Sequence, residues 1–280
     1  MSQQDEAVEG WQLESDSADA YERYLAPAFR PWAEDLIRLA AVTEGERILD
    51  VACGTGIVAR QVASRVGEAG RVVGLDVNGD MLSVARAASA DSRPPIEWRQ
   101  GNALDLPFQP GDFDAVFCEQ AIAFFSEPVT ALGEMRRVLA AGGRAVVSVC
   151  RPIRYSPAYV AMADVLAGHV GADAALMMRS PFSPWAVDEF RHLFVAAGFA
   201  GVHVTIAVGA LRYPSAAEFL RREAASSPLA QPIAALPARA RDELIRELSA
   251  ALADRVDDEG VVCGVESFVA RAWMGSGRES

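Results

Sequence analysis

Residues Ile48 to Gly56 constrain the fold of this chain more than any other segment. The stretch reads Ile-Leu-Asp-Val-Ala-Cys-Gly-Thr-Gly, an apolar run that contains an acid, Asp50, and ends in a glycine turn. The next residues, Ile57 to Val66, have the apolar spacing of a helix. A strand, a tight turn and a helix in this order are typical of a nucleotide-binding loop. Gly54 and Gly56 lack a Cβ, so the backbone can turn sharply there and approach a ligand.

The acid in this segment separates two classes of ligand. Gly54, Gly56 and Ala59 fit the dinucleotide pattern G-x-G-x-x-G/A, so an NAD-dependent oxidoreductase is one interpretation. A pyrophosphate on the loop would lie near Asp50, and at about 6 Å and an effective dielectric constant of about 20 each like-charge contact costs roughly 3 kcal/mol. The ammonium and sulfonium groups of S-adenosylmethionine would be attracted instead. Asp50 therefore favours S-adenosylmethionine, although a buried acid that only caps the turn would also explain it.

A second acid ends the next predicted strand, Arg71 to Asp76. Asp76 lies about twenty residues beyond the glycine turn, where an acid on a neighbouring parallel strand reaches a ribose diol. We therefore expect Asp76 to anchor the adenosine half of the ligand. Met81 follows on the next helical turn, and two interpretations stay open for it: it covers the adenine, or it packs between helix and sheet.

Further blocks of sequence, in a fixed order, make the chain similar to a known family. They are Leu49–Gly56, Val73–Asp76, Gly101–Ala103 with Leu106–Phe108, Phe113–Val116, Glu134–Leu139 and Gly142–Arg144. Residues 47 to 149 resemble the core of class I S-adenosylmethionine-dependent methyltransferases, and among them the small-molecule enzymes of ubiquinone and menaquinone biosynthesis. The resemblance implies S-adenosylmethionine as cofactor and S-adenosylhomocysteine as product. It also implies an α/β, Rossmann-like, seven-stranded sheet that is mostly parallel, with an antiparallel last strand, flanking helices and helical lid insertions.

The resemblance also implies a set of cofactor-binding residues. They are Tyr24, Asp50, Ala52, Cys53, Gly54, Gly56, Asp76, Val77, Met81, Asn102, Ala103, Leu104 and Glu119. The family usually has an acid where this chain has Asn102. An amide can still accept a hydrogen bond from the adenine amino group or donate one to a ring nitrogen. Tyr24 is included because related enzymes often place an N-terminal aromatic residue over the cofactor.

We expect one domain over residues 1–280, since a chain of this length can form a single large α/β unit. Its expected parts are an N-terminal helical lid at 17–42, a cofactor-binding core at 45–150, a lid segment at 151–184, and a sheet completion at 185–274 with a helical insertion at 213–256. The segment 151–184 is rich in Pro, Met and Gly and is expected to be irregular. Strands are expected at Val202–Val208 and Val261–Trp273.

Aromatic and methionine side chains near the expected acceptor pocket suit an apolar or aromatic substrate. We expect substrate contacts from Tyr21, Trp32, Gln120, Phe124 and Met178. Two residues are candidate catalytic groups. Glu119 ends the fourth predicted strand near the expected methyl group, and His169 lies in the second lid segment. No metal site is expected, because the four cysteines are scattered and do not have the spacing of zinc ligands.

Charge and composition exclude several classes of protein. The formal net charge is −12 and no basic run is present, which argues against a nucleic-acid substrate. No apolar stretch is long enough to span a membrane, and Met1 to Glu9 lack the features of a signal peptide. We therefore expect a cytoplasmic monomer or homodimer with a small-molecule substrate.

The function that we expect is methyl transfer from S-adenosylmethionine to carbon or oxygen of a small apolar or aromatic metabolite. Two alternatives stay open. One is the NAD-dependent oxidoreductase that the glycine pattern allows. The other is a protein of the same fold that binds S-adenosylmethionine without methyl transfer, including one that catalyses a different reaction such as a cyclisation.

Overall fold

The computed structural model describes residues 15–274, and the segment Met1–Glu9 lies outside them. The strands are β1 (Arg47–Val51), β2 (Arg71–Asp76), β3 (Ile96–Gln100), β4 (Phe113–Glu119), β5 (Leu139–Cys150), β6 (Gly201–Tyr213), β7 (Val256–Asp257) and β8 (Gly260–Trp273). They form one sheet in the order β3-β2-β1-β4-β5-β8-β6, with β7 paired to β8.

Helices connect and cover these strands. They are α1 (Ser15–Tyr24), α2 (Ala26–Ala40), α3 (Ile57–Val66), α4 (Gly79–Ala88), α5 (Pro128–Val138), α6 (Pro157–His169), α7 (Ala172–Arg179), α8 (Val187–Ala196), α9 (Ala216–Ala225), α10 (Ala230–Ala234) and α11 (Ala238–Ala251). Short 3₁₀ turns lie at Ile122–Phe124, Ile153–Tyr155 and Ala253–Arg255. No helix in the described residues is both long and apolar enough to cross a membrane.

The predicted sheet is confirmed. Strands β3, β2, β1, β4 and β5 are all parallel, and β8 runs antiparallel between β5 and β6. The structure adds one feature, since β7 is a two-residue strand that forms a tight hairpin with the start of β8.

The side chains of the central strands alternate between two cores. Ile48 of β1 packs under α2 and α3 on one face. Its neighbour Leu49 packs under α5 and α8 on the other face, because successive residues of a strand point to opposite sides of the sheet. A third core joins α6, α7, α9 and α11 to the first half of β8. This third core covers the end of the sheet at which the site lies.

Two expectations about the second half of the chain are wrong. The segment 151–184 is not irregular, because α6 and α7 occupy most of it. Their buried alanines and methionines pack in the third core and stabilise helices that the local composition obscured. The strand expected at Val202–Val208 extends through β6 to Tyr213. It pairs with β8 along its whole length, and this long-range pairing carries the strand through small residues of weak strand preference.

The glycine turn between β1 and α3 is held from beneath by two side chains. Asp50 is buried, and its Oδ2 accepts a hydrogen bond from the Ala59 N–H at 3.0 Å. Trp98 fills the space under the turn, since a Cβ added at Gly56 or at Gly74 would lie 2.2 Å from its ring. At these two positions only glycine lets the backbone lie so close to the Trp98 ring.

We predict that the stability of the protein falls with pH because of Asp50. Burial raises the pKa of Asp50 to about 8. The folded state therefore holds a proton that the unfolded state releases above its ordinary pKa of about 4. Since the folded state binds more protons over this window, the free energy of unfolding decreases as pH rises from about 4 to about 8.

Urea unfolding of the wild type and of Asp50→Asn across this pH window measures the effect. Asn cannot ionise, but its Oδ1 can still accept from the Ala59 N–H, so the variant should show a flatter pH dependence. Asp35→Asn, a change at an exposed acid on α2, is the control and should keep the wild-type slope. Equal slopes for the wild type and Asp50→Asn would contradict the prediction.

Candidate functional site

A cavity of about 420 Å³ opens at the carboxyl ends of the central parallel strands. β1 and β4 are neighbours in the sheet, although β2 and β3 lie between them in the chain. Ligands of open α/β sheets bind at such a reversal of strand order. The residues that line this end of the cavity are Ala52, Gly54, Asp76, Val77, Asn78, Asn102, Leu104, Glu119 and Gln120.

The backbone is strained where β1 and β4 end. Ala52 has φ +54° and Gln120 has φ +55°, a left-handed conformation that costs free energy for residues with a Cβ. Gln120 is held there by its own N–H, which donates to the Ser148 carbonyl at 3.0 Å. Its side-chain amide donates to Ser267 Oγ at 2.9 Å. Both strained residues line the cavity, so the strain lies where a ligand would approach the backbone.

Asp76 joins the loops that follow β1 and β2. Its Oδ2 accepts the Gly54 N–H at 2.7 Å, and its Oδ1 accepts the Asn78 N–H at 2.9 Å. Burial raises the pKa of Asp76, and the bonds from the backbone N–H groups lower it. Each oxygen has a further lone pair that can accept from a ligand hydroxyl. The predicted role of Asp76 toward a ribose therefore fits the position of this carboxyl group.

The structure narrows the two roles that the sequence left open for Asn102. Its Oδ1 accepts the Leu104 N–H at 2.9 Å within the loop after β3. The amide NH₂ is then the group available to the cavity, so Asn102 is placed to donate a hydrogen bond to an acceptor such as a ring nitrogen.

Two acceptor oxygens at the end of β4 are buried without partners among residues 15–274. They are Glu119 Oε1 and Gln120 Oε1. Burial, with a further contribution from Asp50, holds the pKa of Glu119 well above its usual range. A positive charge in the cavity would favour the ionised carboxylate and lower that pKa. This end of the cavity therefore suits a ligand with a cationic or N–H-bearing group.

The N-terminal helices contribute one wall of the cavity, but through Tyr21 rather than Tyr24. Tyr21 lines the cavity, and a Cβ added at Gly54 would lie 4.0 Å from its Cε1. Tyr24 is one helical turn further on and does not line the cavity. Its hydroxyl accepts a hydrogen bond from Arg221 at 3.2 Å, and that guanidinium lies over its ring. Tyr24 therefore ties α1 to α9.

Most of the other predicted residues also line the cavity. Those predicted for the cofactor are Ala52, Gly54, Asp76, Val77, Met81, Asn102, Leu104 and Glu119, and those predicted for the substrate are Tyr21, Gln120, Phe124 and Met178. Met81 is 7% exposed and packs against Ala18 in a small core. It also lines the cavity, so it belongs both to the core and to the cavity wall.

The remaining predicted residues lie outside the cavity lining. They are Tyr24, Trp32, Asp50, Cys53, Gly56, Ala103 and His169. Asp50 lies behind the turn and caps α3, the capping interpretation that the sequence had left open. Trp32 is buried against Gly209 of β6. His169 Nε2 lies 2.8 Å from Glu247 Oε2 on α11, which places this histidine away from the cavity.

Sequence patterns did not identify the polar residues that α6, α9 and the turn after α9 bring to the far end of the cavity. They are Tyr159, Glu223, Ser226 and Ser227, and they line the cavity together with aromatic and methionine side chains that the composition had suggested, such as Phe125, Met177 and Phe182. One signal could have identified Glu223, because it shares the buried face of α9 with Phe219 and Leu220. A carboxyl group on the apolar face of an amphipathic helix needs a buried partner.

No cluster of three or more metal-ligating side chains is present within residues 15–274. The expectation of a site without a metal stays a prediction.

Comparison with known proteins agrees with this architecture. Residues 48–143 match the methyltransferase domain family. A 2-phytyl-1,4-naphtoquinone methyltransferase of Thermosynechococcus vestitus is 40% identical over 116 residues, which are 41% of this chain and 51% of that protein. The chain thus spans about half the length of this relative.

Solved structures match more of the chain at lower identity. Phosphoethanolamine N-methyltransferase 2 of Haemonchus contortus, solved with S-adenosyl-L-methionine, has a TM-score of 0.60 at 18% identity, over 98% of this chain and 60% of that one. The [4+2]-cyclase SpnF has a TM-score of 0.54 at 18% identity, over 95% of this chain and 86% of that one. At these identities the likeness establishes the fold. The resemblance predicted from the sequence is confirmed by the match of residues 48–143 to the methyltransferase domain family.

Proposed function

We propose that this chain is an S-adenosylmethionine-dependent methyltransferase that acts on carbon or oxygen of a small apolar or aromatic metabolite of the quinone type. One observation carries the proposal. A single cavity joins the glycine turn and Asp76 to a half lined by aromatic and methionine side chains. Methyl transfer needs donor and acceptor in one enclosed space, because the rate depends on their alignment and on the exclusion of water.

The sheet end of the cavity fits the proposed cofactor. When bound, S-adenosylmethionine supplies a methyl group on a positively charged sulfonium. Asp76 would accept hydrogen bonds from the ribose hydroxyls, and the Asn102 amide would donate to the adenine. The partnerless oxygens of Glu119 and Gln120 would accept from the ammonium group. These buried acceptors support the fit, because buried polar atoms are normally hydrogen-bonded.

The far half of the cavity fits a ring-containing acceptor. Phe124, Phe125, Met178 and Phe182 present apolar and aromatic surface there, and such side chains pack well on flat rings. The name of the relative from Thermosynechococcus vestitus, a naphthoquinone methyltransferase, supports a quinone-type ring as the acceptor.

A different reaction on the same fold is the second candidate. SpnF, a [4+2]-cyclase, resembles almost the whole chain in fold. The cofactor-binding half of the cavity is compatible with either reaction. It is also compatible with a protein that only binds S-adenosylmethionine. Acceptor-dependent formation of S-adenosylhomocysteine separates methyl transfer from both.

Two further features are part of the proposal. The four cysteines are all free and buried, which supports a reducing compartment such as the cytoplasm. A monomer or homodimer with a small-molecule substrate and no nucleic-acid partner is proposed from the acidic net charge of −12.

We predict that the protein binds S-adenosylmethionine and S-adenosylhomocysteine through Asp76. Asp76→Ala removes the acceptors for both ribose hydroxyls, so affinity should fall by roughly tenfold to several hundredfold. Calorimetric titration with both ligands and with NADH measures this. Asp80→Ala is the matched control, because Asp80 is an exposed acid four residues further on in α4. Binding of NADH alone would sink the proposal.

We predict that binding of S-adenosylmethionine releases protons through Glu119. The pKa of this carboxyl is raised in the free protein, and a bound cation favours its ionised form. Affinity should therefore weaken as pH falls through that pKa, because protonation removes the negative charge. Titration calorimetry in buffers of different ionisation enthalpy counts the protons.

Glu119→Gln should reduce this proton release, since an amide does not titrate. S-adenosylhomocysteine carries the same ammonium group, so it should also release protons from the wild type, and this release should likewise fall in Glu119→Gln. Proton release that is unchanged in Glu119→Gln would show that Glu119 does not face the positive charge.

We predict acceptor-dependent turnover with a reduced naphthoquinone such as 1,4-naphthohydroquinone. S-adenosylhomocysteine should form only when protein, acceptor and S-adenosylmethionine are all present, as followed by mass spectrometry. Phe124→Ala should raise KM for the acceptor by roughly tenfold through lost aromatic contact, with unchanged affinity for S-adenosylhomocysteine. Binding of the cofactor without product from any acceptor in a ring-compound series would favour the second candidate.

A further inference from the structure

The far end of the cavity holds a buried carboxyl group, Glu223. This residue lies in the last turns of α9, is 9% exposed and lines the cavity. Two tyrosine hydroxyls donate to the same oxygen, Oε1, from Tyr213 at 2.6 Å and from Tyr159 at 3.1 Å. The tyrosines come from the end of β6 and from α6, so the consecutive elements β6 and α9 meet the distant helix α6 at one carboxyl oxygen.

These tyrosines fix the orientation of the carboxyl group. Burial raises the pKa of both phenols, with a further contribution from Glu223, so the hydroxyls stay protonated and donate. Tyr159 is wedged between Phe182 and Phe219, whose ring centroids lie 5.3 and 5.1 Å from its own. Oε1 is therefore occupied and immobile. Both hydroxyls donate to Oε1, so Oε2 is the carboxyl oxygen that neither tyrosine engages.

A second polar group at this end of the cavity also lacks a partner. Ser226 follows Glu223 by three residues, which is close to one helical turn, and lines the same cavity. It is 1% exposed, and its Oγ has no hydrogen-bond partner within the described residues. Buried hydroxyls are normally satisfied, and the exceptions call for a ligand or water. Ser226 Oγ, which lacks a partner, and Glu223 Oε2, which the tyrosines leave unengaged, therefore offer two hydrogen-bonding positions in the cavity wall.

We propose that Glu223 and Ser226 form a recognition site for a hydroxyl group on the ring of the methyl acceptor. The hydroxyl would donate to Glu223 Oε2 and accept from Ser226 Oγ, so that each open position is satisfied once. The inference rests on the proposed function, and it narrows the acceptor class to phenols, hydroquinones and enols. It also orients such a molecule, because the hydroxyl would be held on the helical wall of the cavity while the cofactor would be held at the strand ends.

The surroundings favour a neutral hydroxyl over an ammonium group. An ammonium ion has three donors to satisfy, whereas the site offers one carboxyl oxygen and one serine hydroxyl. The neighbouring walls are apolar, from Leu229, Val265 and Phe182. Removing a second charge from water against such walls is costly unless all its donors are satisfied.

Equilibrium dialysis with three naphthalene probes of similar size tests the inference. The probes are 2-naphthol, 2-methylnaphthalene and 2-naphthylmethylamine, each with and without S-adenosylhomocysteine. The wild type should bind 2-naphthol roughly tenfold more tightly than 2-methylnaphthalene, as one hydrogen bond to a buried carboxyl group implies. Glu223→Gln keeps an oxygen for the tyrosines but presents an NH₂ in place of Oε2, so this preference should fall to within about threefold.

A second variant and a surface control separate recognition from stability. Ser226→Ala should lose part of the preference for 2-naphthol, and it carries the test alone if Glu223→Gln does not fold, as judged by thermal unfolding. Glu243→Gln, a change at an exposed ion pair on α11, should behave as the wild type. Wild-type preference retained in both Glu223→Gln and Ser226→Ala would overturn the inference.

The remaining outcomes separate this inference from the proposed function. No preference for 2-naphthol in the wild type, or tighter binding of 2-naphthylmethylamine, overturns the hydroxyl site. If S-adenosylhomocysteine binds in that case, the proposed function stands and only the hydroxyl site fails. If S-adenosylhomocysteine does not bind, the proposed function fails, while a hydroxyl preference that depends on Glu223 would still support the site itself.

Discussion

The hydrogen bond from the Gly54 N–H to Asp76 joins the loops of two neighbouring strands, and the site is built around it. It holds the glycine turn against the end of β2, so that the cavity has a fixed floor. Trp98 supports the same turn from beneath, in contact with Gly56 and Gly74, where any larger residue would collide with its ring. The turn therefore has a carboxylate on one side and an indole on the other, and its ligand-facing backbone is ordered before a ligand arrives.

Four buried carboxyl groups surround this turn and the cavity, and they differ in how their burial is offset. Asp50 accepts a helix N–H, Asp76 accepts two loop N–H groups, and Glu223 accepts two tyrosine hydroxyls. Glu119 alone keeps a buried oxygen without a partner among the described residues. Since an unsatisfied buried carboxyl destabilises the fold, a cationic ligand would stabilise the protein most through Glu119. The burial of the same kind of group is thus offset in different ways around one cavity.

Sequence patterns predicted the elements around the glycine turn to the residue. The helix expected at Ile57–Val66 and the strand expected at Arg71–Asp76 have those bounds in the structure. Such agreement is possible because the apolar period, the glycines and the strand-end acids all lie within one short βαβ unit. Where neighbours in space are distant in sequence, the predictions failed. The irregular segment expected at 151–184 is two helices, and Tyr21 rather than Tyr24 faces the turn, because packing against α4 sets the rotation of α1.

The sequence by itself determined the resemblance to the family, the mostly parallel sheet with its antiparallel last strand, and most of the residues at the strand end of the cavity. These follow from local patterns and from the short right-handed connections that parallel strands require. Only the tertiary structure decided the helical wall of the cavity. Tyr159 on α6 lies 64 residues before Glu223 on α9, so no local pattern relates it to Glu223 or to Tyr213 at the end of β6. They meet because the helices inserted between the last strands bury a separate core over the end of the sheet, and that packing places Tyr159 and Glu223 against one cavity.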